Sequence, residues 1–427
     1  MNIMQNGKMV RARVYALGVL LTAGGLTACE KLLEAEAPQL IEEGSLQQPA
    51  NAPVMVSGVV ADFECAFASY IATLGSISDE FRDSQANADT WQLDRRTNTA
   101  SGGIYATNTC GGFAAYTPVS IARFQADNTA RLLAEWTDEE VPGRASLIAR
   151  SKAYAGYSLI LLGEGFCSAA IDVGPEMTPA QLFAEAEKRF SDVLSGVAAG
   201  SSVANDSLRN LALVGRARAR INQSKFAEAA ADAALVPNNF TFNARYSSTV
   251  TRAENRIFRM NNTNGSMTVD STLRGLTVGG VPDPRVTITD AGRGGSQASV
   301  RLWVQNKYTA LNSPIPIASW REALLIRAEA AAEAGQVAAA VGFINQLRTR
   351  VSLPPFAATT AAEVKAQIPD ERRRELFLES HRMYDTIRFN LPLIPAAGAQ
   401  FQGGGTYGNQ KCLPLPDIER LNNPNLS

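Results

Sequence analysis

The fold is decided by the stretch Trp320–Arg350, which reads WREALLIRAEAAAEAGQVAAAVGFINQLRTR. The window Leu213–Val236 repeats its pattern at a constant offset of 111 residues, the distance from Leu213 to Leu324. The further aligned pairs are Ala217 and Ala328, Ser224 and Gly335, Phe226 and Val337, Ala229 and Ala340, Ala233 and Ile344, and Val236 and Leu347. Small residues where helices cross, Ser or Gly in the turn and an apolar residue after it are typical of tetratricopeptide hairpins. Because one hairpin cannot bury its own face, the sequence predicts a stacked solenoid; another type of alanine-rich hairpin is the alternative.

Apolar periodicity predicts four more helices on the N-terminal side of this repeat. They cover residues 59–74, 116–136, 149–162 and 178–197. In the second helix, the residues predicted to face inward are Ile121, Phe124, Leu132 and Leu133. The last helix begins at Thr178-Pro179-Ala180-Gln181, where a capping Thr, a Pro at the first helical position and a Gln form a strong start signal.

Less regular segments separate the helices. Residues 79–112 indicate a polar loop, and residues 238–318 indicate a loop-rich insertion with a few short strands. In the C-terminal segment 319–427, residues 369–390 predict one charged amphipathic helix and residues 398–408 a glycine-rich loop. The predicted class is therefore mainly α, a solenoid of helical hairpins with long irregular loops.

The N-terminus has the pattern of an export signal. Lys8, Arg11 and Arg13 precede the apolar stretch 15–26, which is too short to span a bilayer. Small residues then lead into Cys29, as in a bacterial lipobox, although an ordinary secretory peptide is the alternative reading. We predict a signal peptide over 1–28, lipidation of Cys29, a spacer over 29–52 and a folded part over 53–427. No later stretch has about 18 uninterrupted apolar residues, so lipid is the expected anchor.

Composition excludes some classes of function. The 40 Lys and Arg balance 41 Asp and Glu, which disfavours a nucleic-acid binder. A single His and the absence of a C-x-x-C motif disfavour a zinc site, so no metal or cofactor is predicted. Export permits disulfides among the four cysteines that follow Cys29. Three pairings are possible; we favour Cys65 with Cys110 and Cys167 with Cys412.

Several segments in this order resemble the SusD/RagB family of outer-membrane nutrient-binding lipoproteins. The resemblance is carried by Cys29, the hairpin Trp320–Arg350, the helix from Glu371 through Arg388, the tail Leu413–Glu419, and the pieces Asp283-Pro284-Arg285 and Lys307-Tyr308. One departure is that Ser380-His381 stands before Arg382, where the family usually has a Gly.

The resemblance implies a lipid-anchored lid that sits on a SusC-like TonB-dependent channel and captures oligosaccharides or peptides at the outer membrane, on its cell-surface side. Two alternatives stay open: a tetratricopeptide-type assembly scaffold, and an envelope glycoside hydrolase. No catalytic residue is predicted, since the single His, His381, lies in an Arg-rich helical segment where a surface or salt-bridged role is expected. The run Arg372-Arg373-Arg374 is interpreted as a solvated or structural ion-pair face, because acidic residues stand at helical spacing before and after it.

Ligand contacts are predicted from context rather than carried over from the family. Trp91 is a large ring among polar residues in the segment predicted to be a loop, and Tyr105 lies in the same segment. Tyr407 lies in the glycine-rich C-terminal loop. Because sugar faces stack on aromatic rings, these three residues are the candidate ligand contacts; a packing role for Trp91 as a loop anchor is the alternative.

Overall fold

The computed structural model describes residues 44, 47–101, 103–107 and 110–426. The predicted signal peptide 1–28, the lipidation site Cys29 and most of the spacer 29–52 lie outside the described residues. All elements below belong to the unit Pro49–Ser427.

Helices dominate the described chain, so the predicted mainly α class is confirmed. They are α1 (Ala52–Ile77), α2 (Ala88–Arg95), α3 (Tyr116–Glu135), α4 (Arg144–Gly165), α5 (Pro179–Gly196), α6 (Val203–Ile221), α7 (Phe226–Ala234), α8 (Arg256–Phe258), α9 (Trp320–Glu333), α10 (Val337–Arg350), α11 (Ala361–Glu375), α12 (Arg382–Arg388) and α13 (Asp417–Asn422).

The strands are short and pair antiparallel. They are β1 (Phe81–Asp83), β2 (Thr241–Ala244), β3 (Met267–Val269), β4 (Thr277–Val278), β5 (Val281–Pro282), β6 (Ile288–Gly294), β7 (Arg301–Gln305) and β8 (Ile315–Ser319). Four two-stranded ladders result, β1 with β3, β2 with β8, β4 with β5 and β6 with β7. In the described chain they therefore form small connectors beside the helices rather than one large sheet.

The two repeated windows form the predicted hairpins, α6–α7 and α9–α10. Their turns contain Ser224 at φ 60° and Gly335 at φ 73°, the left-handed conformation that reverses the chain after a helix. Helix α9 packs against α7, and α3, α4, α5 and α6 pack in sequence order. The stacked solenoid predicted from the repeat is confirmed.

Helix α5 starts as its sequence predicts. The Thr178 hydroxyl accepts a hydrogen bond from the Gln181 backbone N–H, and the Gln181 side chain accepts one from the Thr178 backbone N–H. One face of the helix is buried throughout: Leu182, Ala186, Phe190, Val193 and Val197. Two reciprocal hydrogen bonds thus fix where the helix begins.

The prediction for the buried face of α3 is wrong in part. Ile121 and Phe124 are 41% and 48% exposed, whereas Val119, Ala122 and Ala126 are buried. Helix α3 packs closely on α1 and α4. Small side chains permit that approach, so the inner face is built from Ala and Val while two larger apolar residues remain outside.

Helix α1 is the central helix of the core. With the preceding turn it spans Pro49–Ile77 and is, in the part of the chain the structure describes, the one helix long and apolar enough to cross a bilayer. Most of its residues are buried, and Phe63 packs its ring 5.1 Å from that of Tyr154 on α4. Burial of each such ring contributes about 1.5–3 kcal/mol, which accounts for the apolar composition of α1 without a membrane.

The single helix predicted over 369–390 is wrong. Helix α11 ends at Glu375 and α12 begins at Arg382. Between them Leu378 and Ser380 adopt φ values of 55° and 74°, which no α-helix accommodates. The chain turns between the two helices, so the charged side chains of α11 and α12 contact different partners.

The basic run in this region is mainly structural. Arg372 Nε lies 2.8 Å from Asp385 Oδ2 with both side chains buried, and Arg373 pairs with Asp79 at 3.0 Å. The pair Arg374–Asp370 follows the predicted i, i+4 spacing. Arg374 also pairs with Asp283 at 3.2 Å, so all three arginines join distant segments rather than form a solvated helix face.

Candidate functional site

Helix α2 carries Trp91 and lies within the segment predicted to be a loop. The Asn87 side chain caps the helix by accepting a hydrogen bond from the Asp89 backbone N–H at 3.1 Å. The helix ends at Arg96, which is left-handed at φ 57°. Trp91 donates through Nε1 to the Gln85 carbonyl oxygen at 2.9 Å and stays half-buried. The helix, which sequence analysis missed, therefore sets the direction of the indole.

The glycine-rich loop 398–408 brings further rings to the same place. Gln400 and Thr406 form an isolated antiparallel bridge that closes the loop. Phe401 and Tyr407 then lie with ring centroids 5.4 Å apart. A Cβ at Gly403 would lie 2.9 Å from the Trp91 ring, so only glycine permits this close approach.

Trp91, Phe401 and Tyr407 form what we call the aromatic cluster. The Trp91 and Phe401 centroids are 5.9 Å apart with their planes at 62°, an edge-to-face contact. Trp91 and Tyr407, predicted from separate regions, are thus joined through Phe401. Phe401 was not singled out from the sequence, and its place in the same glycine-rich loop as Tyr407 was the available signal.

Tyr105, the third candidate, lies elsewhere. It is buried, its hydroxyl donates to the Pro414 carbonyl oxygen at 2.9 Å, and its ring lies 6.3 Å from that of Phe166. This placement leaves the ring no free face for a ligand. The geometry favours Trp91 among the three candidates, since Tyr407 is also mostly buried; ligand contact by any of them stays a prediction.

Two arginine side chains pack against Tyr407 of the aromatic cluster. The guanidinium groups of Arg82 and Arg96 lie 6.0 and 4.9 Å from the Tyr407 ring centroid. Arg82 also pairs with Asp94 at 3.2 Å and with Asp270 at 2.8 Å. Burial disfavours the charge on Arg82, but these two carboxylates outweigh it and raise its pKa. Two carboxylates thus hold Arg82 in place beside Tyr407.

A polar cleft of about 390 Å³ adjoins helix α2. Its polar lining residues include Gln85, Asn87, Asn264 and Ser266. Apolar contacts come from Ile104, Phe113 and Met260. Gln85 links the two features, because its carbonyl oxygen holds the Trp91 indole. Amides and hydroxyls beside apolar side chains form a surface that can bind hydroxyl-rich molecules.

Two disulfides hold the surroundings of this site. The structure joins Cys65 to Cys110 and Cys167 to Cys412, the pairing favoured from the sequence. Arg256, which lines the polar cleft, donates to the Cys110 carbonyl oxygen at 2.9 Å. Each bridge thus fixes a segment that leads into the site: the wall of the polar cleft and the start of the C-terminal tail.

His381 lies outside the site. Its imidazole is buried, with Nε2 3.1 Å from Glu322 Oε1. A salt-bridged role was one of the two expectations for this residue, and the other, a surface position, is wrong. The imidazole lies at the contact of α9 with the turn before α12, away from the polar cleft.

The comparisons agree with this architecture. The model of the SusD family matches residues 245–414. No curated protein matches the chain. A SusD superfamily protein from Bacteroides vulgatus ATCC 8482 is 15% identical with a TM-score of 0.67, covering 89% of this chain and 98% of that one. A SusD-like carbohydrate binding protein from Bacteroides fragilis NCTC 9343 is 15% identical with a TM-score of 0.66, covering 88% and 99%.

The fold thus defines a SusD-like protein built on helical hairpins. The SusD family model matches residues 245–414, and this match together with the SusD-like fold confirms the resemblance found in the sequence. The backbone at Ser380 explains why the family usually has Gly before Arg382. Its φ of 74° lies in the left-handed region, where the usual family Gly would have no steric cost.

Proposed function

We propose that this chain captures oligosaccharides, or peptides, and delivers them as the lid of a SusC-like TonB-dependent outer-membrane channel. The observation that carries the proposal is that helix α2 holds the half-buried Trp91 directly beside Thr90, which lines the polar cleft. The indole offers a stacking surface and the cleft offers amide and hydroxyl groups for sugar hydroxyls. This combination binds a polar ligand without any catalytic group.

Relatives of the same fold support the choice of ligand. A SusD-like carbohydrate binding protein from Bacteroides vulgatus ATCC 8482 is 14% identical with a TM-score of 0.65, covering 89% of this chain and 97% of that one. Another solved structure of the same organism is described as a sugar binding protein. Anchoring through lipidated Cys29 at the cell surface and docking on the channel come from the family and complete the proposal.

A scaffold role is the second candidate because of one surface feature. A groove of about 670 Å³ runs between the two hairpins and is lined largely by alanine, including Ala230, Ala231, Ala330 and Ala334. A scaffold would bind a protein partner there and show no affinity for glycans. A glycoside hydrolase, in contrast, would release new reducing ends from a bound glycan.

The test is a glycan and peptide screen of the full chain purified in detergent, followed by titration of Trp91→Ala. Loss of the stacking surface should weaken binding by about 1–2 kcal/mol, roughly a 5- to 30-fold rise in Kd. The melting temperature should change little, because the ring is only half-buried. Phe124→Ala, which removes an exposed ring on α3, is the matched control and should leave Kd unchanged.

Two results would contradict the proposal. A large loss of melting temperature with unchanged affinity would identify Trp91 as a packing residue. Failure of every glycan and peptide to bind, with recovery of a protein partner, would favour the scaffold. Co-purification of the chain from its native membrane in mild detergent tests the channel separately: a TonB-dependent barrel should be recovered with it.

A further inference from the structure

A second cleft, which we call the helical cleft, lies among α1, α4, the start of α6 and β2. It has a volume of about 700 Å³ and shares no lining residue with the polar cleft beside Trp91. The residues on which the argument rests are Glu64, Arg150, Tyr154, Asn205 and Arg245. None of them was singled out from the sequence, because they come from four separate elements.

The helical cleft carries two arginines that form no close ion pair in the described chain. Arg150 and Arg245 are exposed, and neither guanidinium forms an ion pair within the described residues. Many other arginines of the chain are paired, such as Arg82, Arg218 and Arg372. Guanidinium groups bind carboxylates with two parallel hydrogen bonds, so two free ones on one cleft suit an anionic group.

The start of helix α6 adds to the positive potential. Ser202 caps this 19-residue helix by accepting from the Asn205 backbone N–H at 3.1 Å. Asn205 in turn accepts from the Ser146 hydroxyl at 2.8 Å, which joins α6 to α4 across the cleft. A helix N-terminus favours negative charge through its dipole and its free N–H groups.

Tyr154 gives an independent sign that the cleft is built for a ligand. The residue is only 2% exposed and its ring packs on Phe63, yet its hydroxyl has no hydrogen-bond partner in the described structure. By contrast, the hydroxyl of Tyr157 on the same helix donates to the Leu211 carbonyl oxygen at 2.9 Å. Tyr154 lines the cleft, so its hydroxyl is free to donate to a molecule bound there.

Glu64 is the one carboxylate among these five residues. It accepts a hydrogen bond from the Arg245 backbone N–H at 2.7 Å. Burial raises the pKa of Glu64 to about 7, although this hydrogen bond and the charges of Arg245 and Arg150 oppose the shift. Near neutral pH the group is therefore protonated in part of the molecules, which weakens its repulsion of an anion.

We infer that the helical cleft binds the carboxylate of a small acidic sugar, with Arg150 and Arg245 on the carboxylate and the Tyr154 hydroxyl donating to the same ligand. The inference goes beyond capture of glycans at Trp91 and stands without it. It predicts a second, charge-selective site that shares no lining residue with the polar cleft.

The experiment is calorimetric titration of the full chain in detergent with glucuronate, glucose and inorganic sulfate. Glucuronate should bind more tightly than either of the other two. Arg150→Gln and Arg245→Gln should each weaken glucuronate binding at least tenfold. Tyr154→Phe should weaken it severalfold and leave the melting temperature unchanged, because the deleted hydroxyl makes no hydrogen bond in the free protein.

Controls separate this site from the rest of the surface. Arg131→Gln removes an equal charge from the exposed face of helix α3, where Arg131 pairs with Glu135, and should leave the affinity for glucuronate unchanged. Trp91→Ala should also leave it unchanged, even where it abolishes capture of a neutral glycan. Equal binding of glucuronate and glucose, equal binding of sulfate, or full affinity in both Arg variants would each overturn the inference.

Discussion

The hairpins α6–α7 and α9–α10 have the same backbone conformation, but the buried charged residue at one equivalent position has opposite sign in the two. Position 218 in α6 corresponds to position 329 in α9, and both side chains are buried. In the first hairpin this position is Arg218, whose Nε lies 2.8 Å from Glu164 Oε1. In the second it is Glu329, whose Oε1 lies 2.7 Å from Arg388 Nη1. The repeat therefore conserves a buried charge position and reverses its sign.

This difference shows which part of a hairpin is local and which part depends on its neighbours. Alanines at the crossing and a left-handed turn are needed by each hairpin itself, so they recur at the same offset. The charge at 218 or 329 must instead match whichever segment packs beside it, α4 in one case and α12 in the other. The charge of the neighbouring side chain, Glu164 or Arg388, therefore determines which residue occupies this position.

The largest expected loss in the free energy of unfolding comes from removing the buried charge of Arg218 in the first hairpin. Arg218→Met leaves Glu164 and Glu322 buried without the guanidinium, since Arg218 lies within 4 Å of both. Loss of one partner from a buried ion pair costs about 3–5 kcal/mol. Glu329→Gln should cost less, about 1–3 kcal/mol, because Arg388 keeps Asp385 at 3.1 Å.

Urea unfolding of the full chain checks both values. Arg131→Met on exposed α3 is the control and should change the free energy of unfolding by less than about 0.5 kcal/mol. Equal losses for Arg218→Met and Glu329→Gln would show that the second partner of Arg388 contributes nothing, and the difference between the hairpins would then lie elsewhere.

A smaller effect is expected at the turn of the second hairpin. Gly335 has φ 73°, and a Cβ built there meets nothing within 4 Å, so only backbone strain opposes a larger residue. Gly335→Ala should therefore lower the free energy of unfolding by about 1–2 kcal/mol. Gly342→Ala, in the same hairpin and equally open, should raise it by about 0.5–1 kcal/mol because Gly342 is helical. Losses of equal size in the two variants would argue against strain at Gly335.

Local patterns predicted the hairpins because all their determinants lie within a few residues of each other. The capping box at Thr178, the alanines at the crossings and the turn residues Ser224 and Gly335 are of this kind. The break between α11 and α12 could not be predicted in this way. The break depends on two ion pairs with residues far apart in the sequence, Arg373 with Asp79 and Arg372 with Asp385.

The candidate sites were harder to predict for the same reason. Trp91 and Tyr407 were found one at a time from their polar or glycine-rich surroundings, but their meeting through Phe401 depends on the fold. Tyr105 had similar surroundings and is buried in the core. The helical cleft gave no signal at all, since its two arginines lie on different elements and have ordinary neighbours in the sequence.

The smallest expected effect tests whether the left-handed backbone conformation strains the turn of the first hairpin as it does that of the second. Ser224 occupies the position of Gly335 and has φ 60°, a conformation in which a side chain is strained. Its hydroxyl forms no hydrogen bond in the described structure and the residue is exposed, so Ser224→Gly loses no contact. Relief of strain exceeds the added entropy of the unfolded chain, and the free energy of unfolding should rise by up to about 1 kcal/mol.

The control Ser57→Gly, at an exposed position inside α1, should lower the free energy of unfolding by about 0.5–1 kcal/mol. If Ser224→Gly also destabilised the chain, the serine would be contributing more to the turn than its backbone conformation costs, and the two turns would not be equivalent.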